Sequence, residues 1–436
     1  MTAIPVTPDS QRRPAVAFIF ITLVLDVLGF GLIIPVSPQL VQNLLGRAEG
    51  AEASIAQTAP FVGYLAATYA AMSFLCAPSL GALSDRFGRR PVILISLFGS
   101  AVDYVAMSFS PTLWFLFLTR AINGVSGGSI TVAMAYIADI TPPEKRAAAF
   151  GMIGAAFGVG FTLGPMMGGF LGSFDIHYPF YAAAGLTFAN WVYGYFVLPE
   201  SLPVGRRAAF RWSRSNPVGA FVGLGRNALV GGLASAMFLV NLAHYGLRST
   251  WVLYTAYRYE WDPLHVAYSL GAVGVGAMIV QGGLVRRIVP ALGEKWSLTL
   301  GLAITVASFV GYGVAWEGWM IYVVIAFGSL GGIAGPSIQS LITRTVRADE
   351  QGLTQGALTS LESVAAILGP LIGASVFAYF ISDSAPVDIP GASFFVGAAL
   401  AALAWLVAVW AMTRTTIGEA PDSPGPSAAP APSTSE

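Results

Sequence analysis

The chain contains a short charged stretch between two long apolar segments: Gly81-Ala-Leu-Ser-Asp-Arg-Phe-Gly-Arg-Arg-Pro-Val-Ile-Leu94. The 32 residues from Ala53 to Ser84 carry no charged side chain, and the apolar pattern resumes at Pro91. Such a stretch is typical of a tight loop between two helices at a membrane surface, and its three arginines predict that this surface is the cytoplasmic one. An ordinary basic loop that only orients the protein is the alternative interpretation.

The composition of the whole chain is that of a membrane protein. Of its 436 residues, 55% are hydrophobic and 10% are charged. One soluble core of this size does not enclose that much apolar surface, whereas a bilayer does. The 22 basic and 22 acidic residues cancel, so net charge gives no sign of a nucleic-acid partner. The single cysteine, Cys76, excludes an intramolecular disulfide and a cysteine-based metal cluster.

We predict an all-α membrane protein with twelve spans, because each crossing needs about 20 apolar residues. With the N-terminus in the cytoplasm, 18 of the 22 Lys and Arg residues fall inside and only Arg47 and Arg258 fall outside, which predicts that both termini are cytoplasmic. The predicted spans are 15–41, 60–82, 91–110, 112–138, 147–173, 178–198, 227–255, 264–285, 296–316, 318–341, 354–380 and 391–413.

The spans divide into two halves that repeat one another. Gly164-Pro165 recurs as Gly369-Pro370, at an offset of 205 residues. Two six-helix halves of the same orientation form a parallel repeat, and secondary transporters built in this way bind substrate between the halves. The predicted regions are a cytoplasmic N-terminal segment (1–14), an N-terminal bundle (15–198), a cytoplasmic linker (199–226), a C-terminal bundle (227–413) and a disordered cytoplasmic tail (414–436).

Charged residues within the predicted spans need a reason to be there, since each costs a few kcal/mol at bilayer depth. Asp26 and Asp103 lie near the middle of their spans, and Glu362 lies halfway along its own. A carboxyl group in such a place can take up and release a proton as a cavity opens to either side, so we expect these three acids to couple transport to protons. Arg120 is the expected partner of one of them. A static, hydrogen-bonded acid is the alternative.

Polar side chains within the spans are candidates for a substrate cavity. His244 and Arg248 are four residues apart and share one helix face, although Arg248 could instead extend outward to the membrane surface. Asn241, Asn123 and Gln281 complete the expected set. No His, Asp and Glu residues have metal-ligand spacing, and no nucleophile and base are paired, so we expect no metal, no cofactor other than the proton, and no enzyme activity.

Four motifs combine glycine, proline and charge at fixed spacing. They are Gly81-x-x-x-Asp85-Arg86-x-Gly88-Arg89-Arg90, Arg120 with Gly124, Gly164-Pro165-x-x-Gly168-Gly169, and Leu25-Asp26-x-x-Gly29-x-Gly31-Leu32-x-x-Pro35. In this order they resemble the loop 2–3 signature of the major facilitator superfamily, its helix 4 signature, the antiporter signature of helix 5, and the helix 1 pattern of its tetracycline-resistance-type drug:proton antiporters. For the third motif, plain helix packing is the alternative.

The resemblance implies two bundles that rock about a central cavity. It implies a cytoplasmic gate formed by the loop 2–3 residues, with Asp139 as a partner of one arginine, and a transport pathway that includes Asp26, Asp103 and Arg120. The chain departs from the subgroup in its second half: Ala277 and Thr305 stand where a histidine and an acid are expected, and Glu362 stands where a neutral residue is expected. The set of gate residues is Asp85, Arg86, Gly88, Arg89, Arg90 and Asp139.

The favoured hypothesis is a monomeric, proton-coupled exporter of small amphipathic compounds in the inner or plasma membrane. An uptake symporter for a metabolite has the same fold, but the helix 5 motif argues against it. A transporter-like sensor without flux is a third hypothesis.

Overall fold

A computed structural model of the protein describes residues 9–50, 53–127, 129–141, 146–203, 205, 207, 227–347 and 350–414, and the regular elements of these ranges are all helical. The predicted tail lies outside the described residues except for Arg414, and so does most of the predicted linker. The first helix already begins at Asp9, inside the predicted segment 1–14, because a helix can extend beyond the bilayer without apolar side chains.

Sixteen α-helices follow one another in the described part of the chain: α1 (Asp9–Ile33), α2 (Ser37–Glu49), α3 (Ile55–Phe87), α4 (Arg89–Ser108), α5 (Leu113–Gly127), α6 (Ser129–Ile140), α7 (Arg146–Gly172), α8 (Tyr178–Val197), α9 (Ala228–Tyr259), α10 (Pro263–Ile279), α11 (Val285–Leu292), α12 (Glu294–Val314), α13 (Gly318–Ser329), α14 (Ala334–Thr345), α15 (Gln351–Phe380) and α16 (Ala392–Arg414). Nine helical stretches of these ranges are long and apolar enough to cross a membrane, or ten if α1 and α2 form one bent span. The all-α membrane fold is thereby confirmed.

Several predicted spans are interrupted rather than continuous. The span 15–41 bends by 44° between α1 and α2, at Pro35, which has no backbone N–H to continue the helix. A π-helical turn, Val280–Leu284, separates α10 from α11, and a 3-10 turn, Leu330–Ile333, separates α13 from α14. Each of these two turns contains a pair of adjacent glycines, which weaken a regular helix.

The charged stretch from Gly81 to Leu94, for which a tight loop was expected, is mostly helical. Helix α3 continues through Phe87, and α4 begins at Arg89, so Gly88 alone connects them. Its φ of 104° lies in the region that glycine adopts easily, and the chain therefore turns within one residue.

Small residues bring α7 into close contact with two other helices. A Cβ atom on Gly164 would lie 2.8 Å from the Cα atom of Gly31 in α1, and one on Gly169 would collide with Ala267 in α10. The helix runs without a break through Pro165. Helix α15 is placed in the same way, since a Cβ atom on Gly373 would lie 2.7 Å from the Cα atom of Gly246 in α9.

The two halves meet at one end of the bundle. There Gly63 of α3 approaches the Pro370 carbonyl of α15, and Gly169 of α7 approaches the Pro263 carbonyl of α10. A buried cluster that includes Ala59 and Trp251 joins both halves at the same level. We call this the sealed end. The opposite end is the basic end, because α3 runs away from the sealed end toward its charged C-terminus and Arg89 follows.

The packing predicts that Gly168→Ala destabilises the protein by roughly 1–3 kcal/mol, because the added methyl group collides with the backbone of Leu32 and neither helix can yield without shifting. The measurement is the apparent melting temperature of the purified protein in detergent. Gly185→Ala is the matched control, because Gly185 of α8 faces open space. Equal melting temperatures of the two variants would contradict the assigned packing.

Candidate functional site

A cavity of about 1000 Å³ lies between the two halves. Toward the sealed end its wall contains the buried side chains of Leu40, Trp251 and Phe309. Toward the basic end its lining includes exposed residues, among them Gln281 and Thr359. The cavity is therefore closed at the sealed end and open at the basic end.

A buried pair of polar side chains joins α4 to α5 in the first half. The Asn123 amide donates a hydrogen bond to Oδ2 of Asp103 at 2.8 Å, and Asp103 is only 3% exposed. The other carboxylate oxygen of Asp103 is buried and has no hydrogen-bond partner in the described ranges. The guanidinium of Arg120 attracts the Asp103 carboxylate electrostatically. The two groups are more than 4.0 Å apart, so they do not form a direct ion pair.

Asp26 of α1 lies close to the same group of residues. Its carboxylate interacts electrostatically with the hydroxyl groups of Tyr69 and Tyr104. Tyr69 and Arg120 line the cavity, whereas the two acids Asp26 and Asp103 do not. We call these five residues the first-half cluster. Its acids are close to residues of the cavity wall but are not part of the wall themselves.

A second group of polar side chains lies on the cavity wall of the other half. The Tyr245 hydroxyl donates to Oε1 of Glu362 at 3.4 Å. The guanidinium carbon of Arg248 lies 5.3 Å from the ring centre of Tyr245 and 5.8 Å from that of Phe161, which belongs to the first half. His244 contacts the ring of Phe309 edge to face. Arg248 thus faces the cavity and does not extend outward to the membrane surface.

At the basic end, Arg89 connects three helices of the first half. Its Nη1 atom lies 2.7 Å from Oδ1 of Asp85 in α3 and 2.5 Å from the Ser84 hydroxyl, and its Nε atom lies 3.2 Å from Oδ2 of Asp139 in α6. Arg89 is 8% exposed. A buried guanidinium held by two carboxylates and a hydroxyl is a strong link, because each hydrogen bond is assisted by charge.

Glu200, which the sequence analysis did not single out, holds the start of α4. Its Oε1 atom accepts from the backbone N–H of Arg89 at 2.8 Å and from that of Leu202 at 3.0 Å. A carboxylate is favourable at the N-terminus of a helix, where backbone N–H groups lack partners. Glu200 follows directly on the predicted span 178–198, so its position at a membrane edge was visible in the sequence. No spacing rule links it to residue 89.

The same motifs match a known protein family over most of the chain. The model of the Major Facilitator Superfamily matches residues 19–370. The chain belongs to this superfamily. It is a multi-pass transporter of the cell membrane, and the prediction that it is not an enzyme is confirmed, because its relatives and structural neighbours are transporters.

Three proteins illustrate the relationship. The class C tetracycline resistance protein of Escherichia coli is 38% identical over 404 residues, which are 93% of this chain and 98% of that protein. The class D tetracycline resistance protein of Salmonella ordonez is 35% identical over 84% of this chain and 90% of its own. The crystal structure of the human organic anion transporter MFSD10 (TETRAN) matches 92% of this chain and all of its own, with a TM-score of 0.68 and 26% identity.

The structure of this superfamily member brings together most of the predicted site residues. Asp26, Asp103 and Arg120 share the first-half cluster, and Glu362, Arg248 and His244 line the same cavity from the second half. Gln281 lines the cavity as expected. The Asn123 amide instead donates to Asp103, and neither Asn123 nor Asn241 is among the side chains of the cavity wall.

The predicted gate residues have different neighbours. Arg89 contacts both Asp85 and Asp139. The guanidinium of Arg90 donates to the Tyr195 carbonyl in α8 at 2.7 Å, and Arg86 stacks over the ring of Phe87 at 5.1 Å. Each of these contacts lies within the first half. Ala277 and Thr305, which stand where the tetracycline-resistance subgroup is expected to carry a histidine and an acid, both line the cavity.

The connection between α3 and α4 predicts that alanine substitutions at Gly88 and Gly81 have different effects on stability. Gly88→Ala should destabilise the protein by roughly 1–3 kcal/mol, because alanine is strained at this φ and its methyl group would collide with the Glu200 carboxylate. Gly81→Ala should be neutral or slightly stabilising, since Gly81 is helical and faces open space. Thermal unfolding in detergent measures both, and a loss of stability in Gly81→Ala alone would contradict the assignment.

Proposed function

We propose that the protein exports small amphipathic organic compounds in exchange for protons. It would have twelve spans in two parallel six-helix repeats, with both termini in the cytoplasm, and it would act as a monomer with no cofactor apart from the proton. The two halves would rock about the cavity so that it opens to one side of the membrane at a time.

The observation that carries this proposal is the position of the first-half cluster. Asp26 and Asp103 are acids within helices of a membrane protein, and they lie close to a cavity that is closed at one end. Arg120, which interacts electrostatically with Asp103, lines this cavity. Proton coupling needs a group whose charge changes as the cavity opens to either side. An intramembrane acid beside the substrate path meets this need.

The substrate class follows from the wall of the cavity and from the relatives. The wall is mostly apolar and aromatic with a few polar groups, and a volume of about 1000 Å³ suits a compound of drug size. The relatives of 35–38% identity are named for tetracycline resistance, which supports outward transport of amphipathic compounds.

The direction of opening fits the loading step of an exporter. The basic end carries most of the Lys and Arg residues and is therefore the proposed cytoplasmic end. A cavity open at this end can take up a compound from the cytoplasm or the inner leaflet. Opening of the sealed end would then separate Gly63 from Pro370 and Gly169 from Pro263.

Replacement of the acids tests proton coupling. A growth-inhibition panel of cells that express the wild type or Asp26→Asn first identifies a transported compound. Inside-out vesicles with an acidic lumen should then accumulate this compound through the wild type. Asp26→Asn and Glu362→Gln should lose this accumulation but keep gradient-independent exchange of preloaded compound, because the cavity remains while the titrating group is gone.

Asp383→Asn is the matched control, since Asp383 lies beyond the end of α15, outside the cavity wall. Full gradient-driven transport by both acid variants would exclude them as coupling residues. Accumulation only in right-side-out vesicles would favour an uptake symporter. Absence of exchange for every compound of the panel would favour a sensor.

Replacement of Asp85 tests the role of the basic end. Asp85→Asn removes one of the two carboxylates that hold Arg89, so the contact that fixes α3, α4 and α6 against one another is weakened. We expect normal membrane insertion and about tenfold slower transport, because a hydrogen bond to a charged group contributes at least about 1.5 kcal/mol, which corresponds to roughly tenfold in an equilibrium between conformations. Substrate flux per inserted protein measures the effect. An unchanged flux would show that the stretch only orients the chain.

A further inference from the structure

The charged groups on the cavity wall are unevenly distributed. Arg120, Arg248 and Glu362 are the charged side chains among the described residues that line it. The acids Asp26 and Asp103 stand off the wall, and Asp103 offsets the charge of Arg120 from outside the cavity. A compound in the cavity therefore meets two guanidinium groups and one carboxylate.

Of the two cations on this wall, Arg120 is offset electrostatically by Asp103, whereas Arg248 has aromatic rings as its neighbours. Its side chain is exposed to the cavity, and no acid of the described part of the chain lies within the 4.0 Å of an ion pair. The nearest acid on the wall, Glu362, accepts the hydroxyl of Tyr245 instead. In place of an acid, Arg248 has the aromatic rings of Tyr245 and Phe161 beside it.

This arrangement holds the guanidinium in place without using its hydrogen-bond donors for an acid. An arginine can stack on aromatic rings through its planar face and still present its N–H groups at the edge, where they match the two oxygens of a carboxylate or sulfonate. Phe161 comes from the first half and Tyr245 from the second, so the guanidinium is oriented by both sides of the cavity.

We propose that the cavity takes an organic anion, with its acidic group on Arg248 and its apolar body along the aromatic wall toward Trp251 and Phe309. The inference rests on the proposed function, since it names the class of compound that the same cavity carries. In an organic cation the place of the acidic group would be taken by a positive charge, which would lie against the Arg248 guanidinium, and like charges in a partly dehydrated space repel strongly.

Two dyes of the same ring system and opposite charge test the proposal. Fluorescein is an anionic xanthene, and rhodamine 123 is a cationic one. Their equilibrium binding to the purified full chain in detergent is measured by fluorescence anisotropy. We expect the wild type to bind fluorescein about tenfold more tightly than rhodamine 123, because a charge-assisted hydrogen bond distinguishes the two.

Variants of Arg248 assign the effect to this residue. Arg248→Gln should weaken fluorescein binding about tenfold or more, and Arg248→Lys should have an intermediate effect, because lysine keeps the charge but not the planar fork. Arg258→Gln is the control on the same helix, since Arg258 lies outside the cavity wall, and its affinities should equal those of the wild type. The melting temperature of each variant verifies that it is folded, and Arg248→Lys remains informative if Arg248→Gln does not fold.

Failure of the wild type to bind fluorescein more tightly than rhodamine 123 would overturn the proposal. Unchanged fluorescein binding in a folded Arg248→Gln variant, or in Arg248→Lys if only that variant folds, would overturn it too. The measurement uses no proton gradient. The binding result therefore does not depend on the outcome of the export assay. Likewise, a lack of preference for fluorescein would not affect the test of proton coupling.

Discussion

Close approach of helix backbones is the constraint on which the rest of this structure depends. Helix α7 can lie between α1 and α10 only because Gly164 and Gly168 face one neighbour and Gly169 faces the other. Helix α15 uses Gly369 and Gly373 in the same way against α9. In a membrane, association of helices relies on packing of this kind, because lipid is as apolar as the side chains it replaces. Of such contacts, those of Gly169 with Pro263 and of Gly63 with Pro370 join the two halves and close the sealed end.

The same packing decides which polar groups meet the cavity and which are screened from it. The first-half cluster places Tyr69 and Arg120 on the wall and keeps Asp26 and Asp103 off it. The second half has the opposite arrangement, because Glu362 and Arg248 are themselves on the wall. The two halves therefore share glycine-mediated helix contacts. They differ in which charged side chains face the cavity, so the cavity is chemically asymmetric although the helix packing is repeated.

The apolar runs of the sequence were sufficient to predict a helical membrane protein, and intramembrane charges were sufficient to find Asp26, Asp103, Arg120, Arg248 and Glu362. Hydropathy averages over a window, so it did not reveal that one span bends at Pro35 or that π and 3-10 turns with paired glycines interrupt the α-helix in two others. A polar residue in a span can face either a cavity or an acid on the next helix, and the sequence could not distinguish these for Asn123. The positions of Glu200 and Phe161 beside arginines distant in sequence follow only from the fold.

The single residue between α3 and α4 has a mechanical consequence. Phe87 and Arg89 are separated by two Cα steps, at most about 7.6 Å, so the two helix ends cannot move apart. Arg89 adds α6 to this unit through Asp139, and Glu200 anchors the end of α8 to it. Helices α3, α4, α6 and α8 of the first half are thus joined at the basic end and should move together as one rigid unit. In the second half, a π turn lies between α10 and α11 and a 3-10 turn lies between α13 and α14. We expect helix bending during a conformational change to occur mainly at these two turns.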